Sequence, residues 1–302
     1  MEKTVILLAT YNGEKFLPAL LDSLLCQTLP SEIVVSDDGS TDGTLEILRA
    51  YAEKMPLTIL PAKRCGGAKE NFMRLLQDAP EAAYYLFCDQ DDVWHPEKTE
   101  KTLLKMQEIE QAGRPALVHG DLTVTDENLH VLAPSLFAYQ KLSQEQTPWQ
   151  SLIQNNVTGC TVMINGALRQ MALRTGKTDG MIMHDWLLNL LASFCGTVGF
   201  IKEPLINYRQ HGRNEVGAKN VGNLGYLAGK MKNGRKNRES LRATQRQAVL
   251  LAERYREELG ENFAGVKAYA EADTKIKRLR VCRQYGIWKN TLVRKIGQIV
   301  YM

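Results

Sequence analysis

The chain has 302 residues, 44% hydrophobic and 24% charged, with a net charge of +4, which excludes a disordered polypeptide and leaves room for one large α/β domain with an appendage, or two modest domains. Cys26, Cys65, Cys88, Cys160, Cys195 and Cys282 are scattered with no C-x-x-C pair, which argues against a zinc ribbon, a redox motif or a disulfide framework and fits a reducing compartment. The charge is uneven: residues 219–302 carry 19 Lys+Arg against 7 Asp+Glu, leaving 19 against 27 before them, so an acidic body joins a basic tail.

Met1 leads straight into the strand-like Val5-Ile6-Leu7-Leu8 without the apolar stretch of a signal peptide, and no window reaches the ~18–20 apolar residues of a spanning helix. Apolar runs without strict alternation then alternate with helical periodicity, the pattern of a parallel sheet covered on both faces. Strands are predicted at Val5–Ala9, Ile33–Ser36, Thr58–Leu60, Tyr84–Cys88 and Leu117–His119. Helices are predicted near Lys15–Leu25, Thr41–Glu53 with Ser40 or Thr41 as N-cap, Ala68–Gln77 and Pro96–Ala112. Further on, Asp126-Glu127-Asn128 reads as a hairpin or turn, Ala133–Pro148 as a loop-rich stretch suited to an acceptor-side lid, and Trp186–Ile201 as a buried helix followed by a strand. Gly, Asn, Lys and Arg accumulate from Arg213 to Asn237, as in a flexible junction, before charged amphipathic helices at Arg238–Glu258 and Phe263–Cys282. The expected fold is α/β, a doubly wound, mostly parallel sheet with a basic helical C-terminal extension.

The chemistry gathers where strands end. Tyr84-Tyr85-Leu86-Phe87-Cys88 runs into Asp89-Gln90-Asp91-Asp92, and carboxylates crowded there repel one another unless a hard cation such as Mg²⁺ or Mn²⁺ sits among them. The first strand ends in Thr10-Tyr11-Asn12-Gly13-Glu14 and the second in Ser36-Asp37-Asp38-Gly39-Ser40. In a doubly wound sheet such ends share one crevice. A carboxylate or amide there suits a base imide N–H, and Tyr11 suits packing on base or ribose. No G-x-G-x-x-G follows the first strand and no G-x-x-x-x-G-K-[ST] occurs, which counts against nicotinamide cofactors and P-loop hydrolysis.

Taken together, Ala9-Thr10-Tyr11-Asn12-Gly13, Ser36-Asp37-Asp38-Gly39-Ser40-Thr41-Asp42, Asn71, Cys88-Asp89-Gln90-Asp91-Asp92 and Met183-His184-Asp185-Trp186 resemble glycosyltransferase family 2 on the GT-A fold, over about residues 1–215. Within it, Asp-Gln-Asp-Asp-Val-Trp, Asn155-Asn156-Val157-Thr158-Gly159-Cys160-Thr161 and Tyr208-Arg209-Gln210-His211-Gly212 look most like bacterial rhamnosyltransferases of cell-wall or capsular polysaccharide. The resemblance implies a catalytic unit at 1–217, with a nucleotide-sugar half about 1–121 and an acceptor half about 122–217, ahead of a basic region at 218–302. It implies donor contacts at Thr10, Tyr11, Asn12, Glu14, Asp37, Asp38, Lys69, Asp89 and Gln90, and Mg²⁺ or Mn²⁺ held by Asp91 and His211, with Asp89 turned to the metal or the ribose. Asp185, opening a helix to Phe194, matches the catalytic base of an inverting displacement; an Asp there also gains from the helix dipole, which would keep it charged.

One departure stands beside the match. Where many relatives carry Glu before the catalytic Asp, this chain has His184, free to orient Asp185, touch acceptor or serve packing. Trp186 is open between core and acceptor platform, Arg209 and Arg213 between phosphate partners and loop cations, and Lys69 between phosphate and a solvated helix face. The implied reaction moves a sugar, rhamnose from dTDP-rhamnose, onto a growing glycan or lipid-linked glycan. A UDP-hexose donor, or a non-catalytic sugar-nucleotide-binding protein, is the alternative; a nucleotidyltransferase would want a basic, glycine-rich first turn. The expected location is cytoplasmic, with the basic tail lying on an anionic membrane at its inner face, packing on the catalytic unit, or forming a dimer contact. Nucleic acid is not an expected partner, because the body is acidic and carries no such motif.

Overall fold

Val5-Ile6-Leu7-Leu8 has no polar side, and β1 (Thr4–Thr10), the strand it forms, is covered on both faces. It pairs in parallel with β2 (Glu32–Asp37) and β4 (Tyr84–Asp89), and β3 (Leu57–Ile59) adds beyond β2. Beyond β4 come β9 (Met163–Asn165), β6 (Ala116–Gly120) and β10 (Thr197–Ile201), giving the order β10-β6-β9-β4-β1-β2-β3. The computed structural model describes residues 2–212 and 234–302, so Arg213 and most of the expected junction at 213–237 lie outside the described residues.

Successive residues of each strand feed opposite faces. Val5, Leu7, Tyr85 and Phe87 join one apolar cluster, while Ile6, Leu8, Leu86 and Cys88 join the other. Helices α1 (Leu17–Leu25) and α4 (Lys98–Ile109) cover the second; α3 (Ala68–Asp78), α7 (Gly166–Leu173) and α8 (His184–Cys195) cover the first. A leucine buried this completely stabilises the fold by about 1.5–3 kcal/mol.

Two features have no counterpart in the sequence expectations. Strand β9 is antiparallel to both β4 and β6 in an otherwise parallel sheet. Its amino end therefore lies at its neighbours' carboxyl ends, and it delivers the preceding segment Asn155–Thr161 to the crevice. A second sheet combines β5 (Val93–Trp94), β11 (Ile206–Arg209), β7 (Thr123–Thr125) and β8 (Val131–Ala133). The expected turn at Asp126-Glu127-Asn128 joins β7 to β8, and the loop-rich stretch after Ala133 holds two short helices, Leu136–Gln140 and Pro148–Ser151.

Three expected helix boundaries are corrected. The second helix, α2 (Thr44–Ala52), starts at Thr44 with Gly43 before it; the Ser40 hydroxyl instead bonds Asp37 and the Asn12 amide. Phe263–Cys282 is not continuous: Phe263–Ala270 ends, and Thr274 caps a new helix, Lys275–Tyr285. The helix around Asp185 begins at His184, with Met183 in the flanking position. The C-terminal helices bury Leu241, Ala248, Leu251, Tyr255 and Tyr269 in the cluster that holds Val5 and Phe87, so the basic tail packs on the sheet's covering layer.

Candidate active site

Register alone assembles half of the site. Thr10 lies beside Asp37 and Ala9 beside Asp89, so the polar ends of β1, β2 and β4 open side by side. There they border a cleft of about 1370 Å³ that also takes in Asp38, Asp91, Asp185, Trp186 and His211. Of the expected residues, Thr10, Tyr11, Asn12, Asp38, Asp89, Gln90, Asp91, His184, Asp185, Trp186 and His211 border this one cavity, although they come from separate stretches of the chain.

The second sheet explains how His211 arrives. β11 runs antiparallel to β5, pairing Ile206 with Trp94 and Asn207 with Val93, so the chain beyond Arg209 passes the carboxylates that precede β5. Arg209 N–H donates to Asp92 Oδ1 at 3.2 Å, and His211 Nε2 sits 2.7 Å from Asp91 Oδ2. Phe16 stacks on the His211 ring at 4.8 Å between centroids and carries the Arg209 guanidinium at 4.7 Å. Asp89, Asp92 and Cys160 form a second group of ligand-type side chains, their atoms within 4.8 Å of one another.

Asp92 is fully buried, and its Oδ2 has no oxygen or nitrogen partner. Burial first, then the charges of Asp91 and Asp89, pushes its carboxyl well above the usual range. Burial likewise pushes the Cys160 thiol up, and that thiol lies in hydrogen-bond contact with the Asp92 carboxyl. At the cleft itself, the Asp89 and Asp91 carboxylates with the His211 imidazole beside Asp91 are a donor set that fits a hard divalent cation such as Mg²⁺ or Mn²⁺.

Asp185 occupies a different environment. It is 9% exposed in the first turn of α8, and burial pushes its pKa up to about 7. The Trp186 N–H at 2.7 Å and Asn155 Nδ2 at 3.2 Å pull the other way without cancelling burial. The dipole argument for a permanently charged Asp185 is therefore corrected: desolvation outweighs it. Behind it runs a chain of amides, in which Asn189 donates to Asn155 Oδ1 at 3.0 Å and Ser193 to Asn189 Oδ1 at 3.0 Å. Asn189 is a lone amide inside an apolar helix, and that isolation was the sequence signal for it.

Neighbouring residues divide between cleft and framework. His184 is buried between Phe72 and Phe87, its pKa pulled down by burial to about 3, and neither ring nitrogen has a hydrogen-bond partner. A Cβ on Gly159 would sit 3.1 Å from its Nε2, close enough to press on the ring, so glycine eases the approach of the two segments. Trp186 is half-buried, with Nε1 donating to Ser151 O at 2.7 Å. Tyr11 is 49% exposed at the cleft, its backbone held from both sides by Gln90: N–H to Oε1 at 2.8 Å and Nε2 to O at 2.9 Å. A Cβ on Gly13 would collide with that Gln90 side chain.

Several expected contacts are engaged elsewhere. Asp37 accepts from Thr10 Oγ1 at 2.8 Å, Ser40 Oγ at 2.6 Å and the Ser40 N–H at 2.8 Å, shaping the turn rather than facing the cavity. Asp38 lines the cleft and gathers the N–H groups of Cys65, Gly66 and Gly67. Asn12 Oδ1 accepts from Thr41 N–H at 2.8 Å, and Glu14 from Gly43 N–H at 2.9 Å. Lys69 pairs with Glu70 at 3.1 Å, and Arg209 donates to the carbonyls of Asp91 and Glu127. Glu14, Asp37, Lys69 and Arg209 do not border the cavity.

Known proteins resemble this chain in sequence and in fold. The model of glycosyl transferase family 2 matches residues 5–171. The dTDP-rhamnosyl transferase RfbG of Shigella flexneri is 30% identical over 226 residues, 70% of this chain and 74% of its own. The putative teichuronic acid biosynthesis glycosyltransferase TuaG of Bacillus subtilis is 29% identical over 215 residues, covering 68% and 77%. Among solved structures, TarS 1–349 of S. aureus superposes with a TM-score of 0.59 at 20% identity, covering 99% of this chain and 78% of that one, which shows a shared fold. With more than half of its length matched and a relative at 30% identity, the chain belongs to glycosyl transferase family 2.

Proposed function

We propose that the protein transfers rhamnose from dTDP-rhamnose to a growing cell-surface glycan or lipid-linked glycan, with inversion and with a divalent metal. The observation that carries this reading is the presence, in one cleft, of an Asp91–His211 pair beside clustered carboxylates and of a buried Asp185 whose pKa lies at about 7. The dTDP-rhamnosyl transferase relative favours the donor, and the teichuronic acid relative favours a polysaccharide acceptor. On this reading residues 1–217 are the catalytic unit, about 1–121 for donor and 122–217 for acceptor.

Asp185 Oδ takes the proton of the acceptor hydroxyl as that oxygen bonds to the anomeric carbon. The bond from that carbon to the diphosphate breaks on the other side, and its electron pair leaves with the diphosphate. A divalent cation held by Asp91, His211 and Asp89 would supply charge stabilisation for that leaving group. The amide chain from Ser193 through Asn189 and Asn155 keeps Asp185 aimed. Gln90 fixes Tyr11 for the base or ribose. No described helix is long and apolar enough to cross a membrane, and we place the enzyme on the cytoplasmic side, peripheral to the membrane.

A thermal-shift screen of nucleotide sugars with and without Mn²⁺ tests this, because preferential binding raises stability by mass action. Metal-dependent stabilisation by dTDP-rhamnose, followed by its turnover with acceptor, is expected. Response to uridine donors alone moves the reading to a hexose, and no response to any nucleotide sugar overturns it.

A further inference from the structure

The last helix, Leu292–Tyr301, is built inside out. Leu292 is 73% exposed, Val293 53%, Ile296 53%, Ile299 39% and Val300 58%. Their spacing puts them on one arc of the helix. Its polar side faces the protein instead: Gln298 is buried, donating to Ile287 O at 2.8 Å and accepting from Lys289 N–H at 3.0 Å. Arg294 donates to Gln140 O at 2.6 Å and Lys141 O at 3.1 Å. These bonds fix the helix's rotation, so the outward apolar arc belongs to the fold. Of the thirteen large hydrophobic residues exposed among the described residues, these five and Ile276 lie after residue 275.

Charge narrows what covers such a face. From Thr274 to Met302 the chain has eight Lys and Arg and no Asp or Glu. A second copy docked face to face about a twofold axis would set this cationic segment against itself. An anionic phospholipid surface neutralises it while taking up the apolar arc. The helix, at 10 residues, is too short to span a bilayer and long enough to lie in its surface.

The anchors also tie the helix to the cleft. Gln140, whose carbonyl Arg294 grips, lines the cavity. Asn290 donates to Lys141 O at 2.7 Å and, through its N–H, to Gln154 Oε1 at 3.2 Å, one residue before the Asn155 that holds Asp185. We propose that Leu292–Tyr301 is a bilayer-seating helix that lays its apolar arc into an anionic phospholipid surface and holds the acceptor side of the cleft against that surface. Its use for delivering a lipid-linked acceptor rests on the function proposed above; the seating itself does not.

Co-sedimentation of the full chain with vesicles decides it. Binding to vesicles of mixed phosphatidylglycerol and phosphatidylcholine, weakened by salt and lost with phosphatidylcholine alone, is expected. Ile296→Glu with Val300→Glu should weaken that binding roughly tenfold or more, while Val249→Glu, on an exposed site elsewhere, leaves it unchanged. The variants' melting and their response to nucleotide sugar report on folding and on the cleft separately. The seat is overturned if the wild-type chain stays in the supernatant, if the double variant binds equally well, or if lipid-free sedimentation velocity reveals a dimer that Ile296→Glu dissolves. Vesicle binding without any nucleotide-sugar response would sink the transferase reading and leave the seat standing.

Discussion

Asp91 and Asp185 line the same cleft, yet their surroundings prepare them for different work. Asp91 is only partly buried and touches an imidazole at 2.7 Å; Asp185 is buried in the first turn of a helix with one amide and one N–H for company. The first arrangement directs a carboxylate into the cleft beside an imidazole, as a cation site requires. The second makes a carboxyl whose proton is easily gained and lost near neutral pH, as a base requires. Side-chain identity is the same, and desolvation separates the roles.

The largest expected effects are those that exchange these losses. Asp185→Asn should reduce transfer by roughly 10²–10⁴-fold while leaving metal-dependent nucleotide binding intact. Asp91→Asn should do the reverse at the binding step, weakening Mn²⁺-dependent nucleotide binding by at least roughly 10–100-fold, measured by thermal shift or calorimetry. Equal losses of binding in both variants would erase the distinction between the sites.

The pH profile sharpens it. A base must be ionised, so kcat/KM should climb through about pH 7 and level off above it. Stability runs in the opposite direction. A carboxyl whose folded pKa is raised above its unfolded value stabilises the fold when protonated, and that contribution is lost as pH rises through about 7. Asp185→Asn should flatten both trends. Asn155→Ala removes a hydrogen bond that lowers the Asp185 pKa, so the activity midpoint should move upward, with a smaller loss at high pH than Asp185→Asn produces.

What the sequence made legible follows from how each feature is encoded. A strand buried on both faces needs only apolar residues in a row, so Val5–Ala9 and Tyr84–Cys88 were readable, and the carboxylates after them marked the crevice. Strands β5 and β9, of two and three residues, carry no periodicity, so neither the antiparallel insertion nor the second sheet was visible. The protonation behaviour of Asp185 was misread because local sequence reports the helix dipole, whereas burial is set by the loop at Asn155 and by α8 packing together. Asp37 and Arg209 are of types that suit ligand binding, but in the fold turn and backbone groups engage them, which local sequence does not report. The break at Glu271–Thr274 contains neither Gly nor Pro, leaving Thr274 as its only local mark.

The smallest expected effect concerns His184, beside Asp185. Leaving two buried ring nitrogens without partners costs about 1–3 kcal/mol for each group fully desolvated, a cost that the stacking on Phe72 and Phe87 offsets in part. His184→Phe keeps the stacking and removes the unmet polarity, while Gly159 limits the room for a larger ring. The gain from removing unmet polarity and the crowding against Gly159 act in opposite directions, so the melting temperature should move by no more than about 2–4 °C. Since His184 also lines the cleft, acceptor KM should rise less than about tenfold with kcat nearly preserved, as when binding uniform to ground and transition states is lost. A collapse of kcat as large as that of Asp185→Asn would instead make the imidazole part of the proton transfer, and the division of labour between the two carboxylates would have to include it.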